Sequence, residues 1–383
     1  MAESIYNKLQ VFVNRFTARR YWKFYLAIIC SLYCILSNMP QYKIMLTGKA
    51  RNVAIWNRIN RQIDHPFTPD LSNDPEAHEA KLTFRLTPPL IGKLIPGNNI
   101  LHRMTGLFIL QNIGGILFFY LLIVFAEANF NNRFFSFMLP WCFAAIYAGK
   151  TFFCDMFFFF DGLAYLLLLI SICNRNALLI FASLLLAFYT DERTLVGSGF
   201  VMLYHVLQRK EGTNNTSVII SILAAIASYI ATRLYLQTQL GLVSPGDGIN
   251  IANIAKETRF SYFMMGLFTA FKSFWLILIA GVFYLRGFWP RAIYTITLLT
   301  LVIGGMCVFD FSRSYSYGFI GLLAVLYYLY KQPQQHENMN KLILVLLITC
   351  LLNPVYDVHG EELFMTRSVI GRYFEAHFLQ LPG

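Results

Sequence analysis

Long apolar runs alternate with short polar connections along almost the whole chain. The apolar segments fall near residues 22–39, 104–126, 134–149, 157–173, 177–190, 194–208, 217–236, 261–285, 292–309, 316–330 and 341–352. A hydrocarbon core of roughly 30 Å takes about 20 apolar residues in a helix. The pattern therefore predicts an all-α fold, a polytopic transmembrane helix bundle of about eleven spans. Connections as short as Asn174–Asn176 and Arg286–Arg291 make neighbouring spans antiparallel hairpins. Several middle spans are short: residues 177–190 cover only about 21 Å at 1.5 Å per residue. Such a helix needs a thinned or water-filled region, or its turn dips below the interface. The turn that follows is Asp191-Glu192-Arg193.

Three regions follow from the same pattern. Residues 1–21 form an amphipathic helix with Arg15, Arg19 and Arg20 ahead of the first span, suited to an anionic lipid surface. Residues 22–352 form the transmembrane bundle. They include a long first loop, 40–103, which is too charged to enter lipid and carries surface helices. Residues 353–383 form a polar tail. The first span lacks a small-residue cleavage site and reads as an anchor.

Composition supports membrane residence, with 57% hydrophobic and 13% charged residues against roughly a quarter charged in a soluble domain. The seven cysteines lie almost entirely inside apolar runs, with neither a disulfide framework nor a metal-type cluster. The net charge of +11 is dispersed along membrane flanks, which argues against nucleic acid as a partner. Counting each segment as a crossing leaves Glu3, Glu127, Glu211 and Glu337 on the face of the N-terminal tail, with Asp161 inside a segment. The other 15 of the 20 acids lie on the opposite face. Lysines and arginines favour the N-terminal face, which the positive-inside rule makes cytoplasmic. Carboxylates gathered on the other face, periplasmic in an inner membrane, point to chemistry there.

The first loop holds Asp70, Asp74, Glu76, His78, Glu79, Lys81 and Arg85 before Pro88-Pro89. Asp74 before Pro75 reads as a helix N-cap, with the helix ending before Pro88. On that helix Glu76, Glu79 and Thr83 share a face, with His78, Lys81 and Arg85 beside it. Two readings stand. Asp74 caps the helix and the other charges are solvated, or Asp74 or Asp70 acts as a general base while Lys81 and Arg85 face an anion. The acids with His78 could also hold a divalent cation through oxygen ligands.

Three further groups fall on the same face: Lys150 with Asp155, Asp191 with Glu192 and Arg193, and Asp310 with Arg313 at helical spacing. Each could be an ion pair fixing helix to helix. Together they would supply carboxylates for proton transfer and cations for a phosphate. Lys272, inside an apolar segment, either marks a break or snorkels. Asp161 lies six residues past Asp155, about 600° of helical rotation, and receives no role.

The segments Asp74–Arg85 and Phe188–Arg193, together with this architecture, resemble the C-type superfamily of integral-membrane glycosyltransferases. The resemblance implies transfer of a sugar from a polyprenyl-phosphate carrier to an acceptor hydroxyl on the periplasmic side. It gives the role of base to a first-loop acid, Asp74 before Asp70. Leaving-phosphate stabilisation would fall to Arg193, Arg313, Arg85 or Lys150, with Glu76, His78, Glu79, Lys81, Asp155, Asp191, Glu192, Lys272 and Asp310 around the substrates. The expected partners are that donor, an acceptor of unspecified class and membrane lipid. Two departures stand out: the first-loop acids are spread rather than paired, and no large C-terminal soluble domain is present. A surface-polysaccharide polymerase or ligase, and a transporter or flippase, are the alternatives.

Overall fold

The computed structural model describes residues 2–37, 51–68, 82–97, 99–155, 157–208, 215–242, 258–308, 310–332, 336–353, 355–359 and 362–366. The elements begin with α1 (Ala2–Thr17), α2 (Trp22–Ser37), α3 (Arg51–Asp64), α4 (Thr87–Gly92), α5 (Ile100–Phe130) and α6 (Arg133–Ala144). There follow α7 (Tyr147–Cys154), α8 (Asp161–Cys173), α9 (Ala177–Phe188), α10 (Thr194–Leu207), α11 (Thr216–Leu240) and α12 (Thr258–Phe271). A 3-10 turn (Lys272–Phe274) leads to α13 (Trp275–Tyr284), α14 (Phe288–Met306), α15 (Phe311–Ser316), α16 (Phe319–Tyr330) and α17 (His336–Leu352). An antiparallel hairpin closes the described chain: β1 (Val355–His359) pairs with β2 (Glu362–Thr366), Val355 opposite Thr366. The body is all-α, as the pattern predicts; the hairpin in the expected polar tail is an addition.

Each apolar segment becomes helix, yet few are long. Among the described residues four stretches are long and apolar enough to cross a membrane: Ile100–Phe130, Thr216–Leu240, Phe263–Tyr284 and Phe288–Met306. A fifth arises if α6 and α7, bent by 57°, count as one span. The other apolar helices have 10–17 residues, about 15–26 Å of rise, so a count of eleven spans does not follow from helix length. Segment 157–173 becomes helical only at Asp161, and segment 261–285 is interrupted at Lys272, whose φ is 49°. Pro140 lies inside α6 shortly before the bend.

The central helix α5 supplies an axis. Near its start Arg103 Nη1 pairs with Asp64 of α3 at 2.6 Å, and near its end Glu127 pairs with Lys23 of α2. The two positions are 24 residues apart, about 36 Å of helix and close to the thickness of a hydrocarbon core. Asn129, at the Glu127 end, accepts from Tyr204 at 3.0 Å and Gln208 at 3.1 Å. The end of α10 therefore lies there, and its start, after Arg193, lies at the Arg103 end. A Phe cluster fills the middle: Phe118 packs on Phe152 (5.0 Å), Phe319 (5.8 Å) and Phe143 (6.2 Å). Gly162 admits this packing, because a Cβ there would meet the Phe152 ring at 2.7 Å.

Within the first loop, α3 buries Trp56, Ile59 and Ile63 against Met104 and Leu107 of α5. Among its described residues the first loop holds two helices, α3 and α4. Residues 82–84 form a turn rather than the end of a helix running from Asp74, and Pro88-Pro89 open α4. Thr83 and Arg85 are thus loop residues held near the start of α4.

Candidate functional site

At the Arg103 end of the axis, charged residues from four separate parts of the chain join into one buried network. Its hub is Asp161, the first residue of α8, which is fully buried. Asp161 Oδ1 accepts from Tyr317 (2.9 Å), Arg193 Nη2 (3.0 Å) and Arg313 Nη2 (3.2 Å). Its Oδ2 accepts from Arg313 Nε (2.6 Å) and Tyr147 (3.2 Å). A carboxylate offers about four lone-pair positions, so Asp161 is saturated and organises its neighbours.

Asp191 is the second hub. Its side chain accepts from the Arg193 backbone N–H (3.0 Å), closing a local turn, and from Arg193 Nε (2.8 Å) and Nη2 (2.6 Å). Arg85 Nη2 lies 2.8 Å from its Oδ2. Burial pushes the Asp191 carboxyl up, but Arg193 and Arg85 outweigh it and hold the group well below the usual carboxylate range. Arg193 Nη1 also donates to Ser314 (3.0 Å), and Arg313 Nη1 to Asp310 (2.7 Å). Arg193 and Arg313 thus spend their N–H groups on protein acceptors. The DER turn follows α9, which is only 12 residues long. Thr87 fixes it in place, with its N–H donating to the Tyr189 carbonyl (3.1 Å) and its hydroxyl to that of Leu186 (2.8 Å).

The segment between α7 and α8 forms one wall. Asp155 caps the end of α7, and its Oδ2 accepts from the Phe160 N–H at 2.8 Å. Phe158 and Phe160 have φ of 56° and 61°, a left-handed backbone that costs a bulky residue roughly 1–2 kcal/mol. The loop so strained sets the Phe159 ring 3.7 Å from the Arg313 guanidinium. Strain of this kind gathers where surroundings fix a geometry for use. Burial and the nearby Asp161 push Asp155 up to about 6 against the opposing pull of Arg313. The rotation argument that separated Asp155 from Asp161 fails because the two lie on different helices, folded together by this loop.

Among the described residues six buried side-chain polar atoms lack a hydrogen-bond partner: two on Arg85, one each on Asp155 and Gln111, and the hydroxyls of Thr83 and Tyr189. Arg85 Nε and Nη1 are buried without a hydrogen-bond acceptor; only the half-exposed Glu192 carboxylate approaches Nε, at 3.5 Å. Asp155 Oδ1 and Gln111 Oε1 are buried without a donor, although Gln111 Nε2 reaches the Asp155 carbonyl at 3.3 Å.

The structure therefore brings together Arg85, Asp155, Asp191, Glu192, Arg193, Asp310 and Arg313, and adds Asp161, Tyr147 and Tyr317. Lys150 lies mid-helix in α7, buried, with its ammonium 5.8 Å from the Tyr33 ring and no carboxylate partner among the described residues. It does not flank a turn with Asp155, as the spacing suggested. Lys272 does mark a break, but its Nζ donates to the carbonyls of Cys350 (2.6 Å) and Asn353 (2.7 Å), capping the end of α17. Asp70, Asp74, Glu76, His78, Glu79 and Lys81 lie outside the described residues. No group of three or more potential metal ligands occurs among those described. Asp161 was legible as an isolated charge in an apolar run, which demands partners.

No family model matches the chain, and comparisons with curated proteins and with solved structures return no match.

Proposed function

We propose that the chain is a membrane glycosyltransferase that moves a sugar from a polyprenyl-phosphate carrier to an acceptor hydroxyl. The observation that supports this most is the Arg85 guanidinium at the edge of a saturated network, whose buried Nε and Nη1 make no hydrogen bond among the described residues. A guanidinium with N–H groups not committed to hydrogen bonds suits an anionic oxygen; Nη2 is taken by Asp191, so Nε and Nη1 lie on different edges and each takes a separate oxygen. Lys150 offers a second cation without a carboxylate partner among the described residues. In this reading Arg85, and Lys150 where the carrier reaches it, stabilise the phosphate as it leaves, while Asp161 and Asp191 hold Arg193 and Arg313 rigid behind them. The acceptor proton goes to a first-loop acid, Asp74 before Asp70. The loop carrying both acids runs into Leu82, whose carbonyl is held by Gln62 Nε2 at 2.8 Å, three residues before Arg85.

A second reading, transport, draws on the interrupted helix at Lys272 and the bent α6–α7 pair, since broken helices mark many transporters. The clustering of charge toward one end of α5 favours the transferase. The test combines native mass spectrometry with single-turnover transfer in detergent or nanodiscs, using polyprenyl phosphate and polyprenyl-phospho-sugars as probes. The wild type should retain the carrier, Arg85→Gln should lose it, and Asp74→Asn should retain it without transfer. Carrier binding undiminished in Arg85→Gln, or substrate uptake into liposomes without transfer, would overturn the reading.

A further inference from the structure

A second feature lies at the opposite end of the α5 axis and does not depend on the transferase reading. The turn between α1 and α2, residues 18–21, carries Arg19 and Arg20, both exposed and with no acidic partner among the described residues. The nearby Lys23, by contrast, is paired with Glu127. The Arg19 guanidinium stands 5.7 Å from the Phe16 ring, and that of Arg20 5.2 Å from the Tyr21 ring, so aromatic faces orient both. The two arginines lie at an open surface depression of about 510 Å³ lined also by Tyr25, Ile28 and Ile29.

The elbow is anchored rather than loose. Val13 and Thr17 of α1 are buried, and Tyr6 and Phe16 pack on Phe134 and Phe137 of α6 at 5.4 and 5.3 Å. From the depression an exposed apolar stripe continues along α2 through Tyr25, Ile29, Leu32 and Leu36. Spacings of three and four residues keep these on one helical face. Arg19 and Arg20 at one end and an apolar track leading away match an amphiphile with an anionic head and a hydrocarbon tail. Its position beside Glu127, at one end of a helix long enough to span, sets the head at the depth of lipid headgroups.

We propose that the α1–α2 elbow is a binding site for an anionic diacyl phospholipid. The headgroup phosphate takes Arg19 and Arg20, and one acyl chain lies along Tyr25, Ile29, Leu32 and Leu36. The test is native mass spectrometry of the full chain released from nanodiscs holding equal amounts of phosphatidylglycerol and phosphatidylcholine with matched chains. The wild type should retain phosphatidylglycerol preferentially, and Arg19→Gln/Arg20→Gln should bind it roughly 10- to 30-fold more weakly, as expected for two interfacial charges. Lys8→Gln/Arg15→Gln makes the same charge change on exposed positions of α1 and should keep the preference. Equal retention of the two lipids by the wild type, or equal loss in both double variants, would overturn the site. A second measurement needs no variant: phosphatidylglycerol carrying a diazirine on its acyl chain should label α2 between Tyr25 and Leu36. Labelling confined to other helices, or displacement of the lipid from this stripe by polyprenyl phosphate, would equally overturn it.

Discussion

Replacing Asp155 by Asn should stabilise the protein at neutral pH, contrary to the usual effect of altering a buried polar group. Asp155 is 6% exposed, sits near Asp161, and has one oxygen bonded to the Phe160 N–H and the other unpartnered. Burial first and Asp161 second raise its carboxyl to about 6, with Arg313 pulling the other way. An unfolded Asp titrates near 3.9. Between about pH 4 and 6 the folded state holds the proton that the unfolded state has released. Stability from this group is therefore full below about pH 4, falls as pH rises toward 6, and stays low above it. At 1.36 kcal/mol per pH unit, the ionised form costs about 3 kcal/mol at pH 7.5. Asparagine mimics the protonated acid: its oxygen can keep the Phe160 contact, and its amide puts a neutral donor in place of the unpartnered carboxylate oxygen. Asp191 carries the opposite sign, since its stabilisation is lost only as pH falls below the ordinary carboxylate range. Intrinsic-fluorescence melting in mild detergent from pH 4 to 8 should show Asp155→Asn about 1–3 kcal/mol more stable at pH 7.5. Its decline between pH 4 and 6 should also be shallower. A variant less stable than wild type at pH 7.5, with the decline unchanged, would refute the reasoning. Transfer activity that falls while stability rises would identify Asp155 as a strained functional group.

Asp161→Ala strands the Arg193 and Arg313 guanidiniums, at a cost of about 3–5 kcal/mol typical of breaking a buried pair; it should lower the melting temperature sharply, whereas Glu192→Gln, at a half-exposed 3.5 Å contact, should move it little. Lys272→Met removes both donors from the α17 carbonyls, leaving acceptors unpaired at about 1–3 kcal/mol each. Limited proteolysis should then cut faster after Asn353, with the body of the chain intact. Gly149→Ala places a Cβ inside contact distance of the Phe143 carbonyl, a backbone group that cannot swing aside; yields of monodisperse protein by size-exclusion chromatography should collapse, while Gly304→Ala, with open space around it, should behave as wild type.

Much of this arrangement was legible in the sequence, because hydropathy alone locates the helices. The one-sided placement of acids anticipated that the Asp191–Arg193 turn and the Asp310–Arg313 segment would come together, although the contact that joins them, Arg193 to Ser314, spans 121 residues of chain. Helix lengths were less legible. Phe157–Phe160 is as apolar as any helix, and nothing at Phe158 or Phe160, neither Gly nor Asn, announces a left-handed backbone. Treating that stretch as helix hid the proximity of Asp155 and Asp161. Lys272 shows a related gap: the cost of its charge revealed the break, but its acceptors lie 78 and 81 positions later and are backbone carbonyls, which no side-chain pattern records.

The network also shows why charge at one end of a bundle is a weak guide to function until its hydrogen bonds are counted. Glu192, Arg85, Asp191, Arg193, Asp161, Arg313 and Asp310 alternate in sign, with four acids to three guanidiniums. The assembly carries one net negative charge and is no general well for phosphate. An anion competing for Arg193 or Arg313 would have to displace buried carboxylates, against several kcal/mol of broken pairing. Arg85 differs because, among the described residues, its Nη1 has no acceptor and its Nε only the half-exposed Glu192 contact at 3.5 Å, and a buried donor left dry costs about 1–3 kcal/mol. A ligand that satisfies those groups recovers that cost and leaves the Asp161 and Asp191 hubs undisturbed. Binding energy is therefore available at Arg85, within the first loop, and the saturated pairs behind it keep the guanidinium in place. Substitutions in the hubs should be read first as changes in stability, and those at Arg85 as changes in binding.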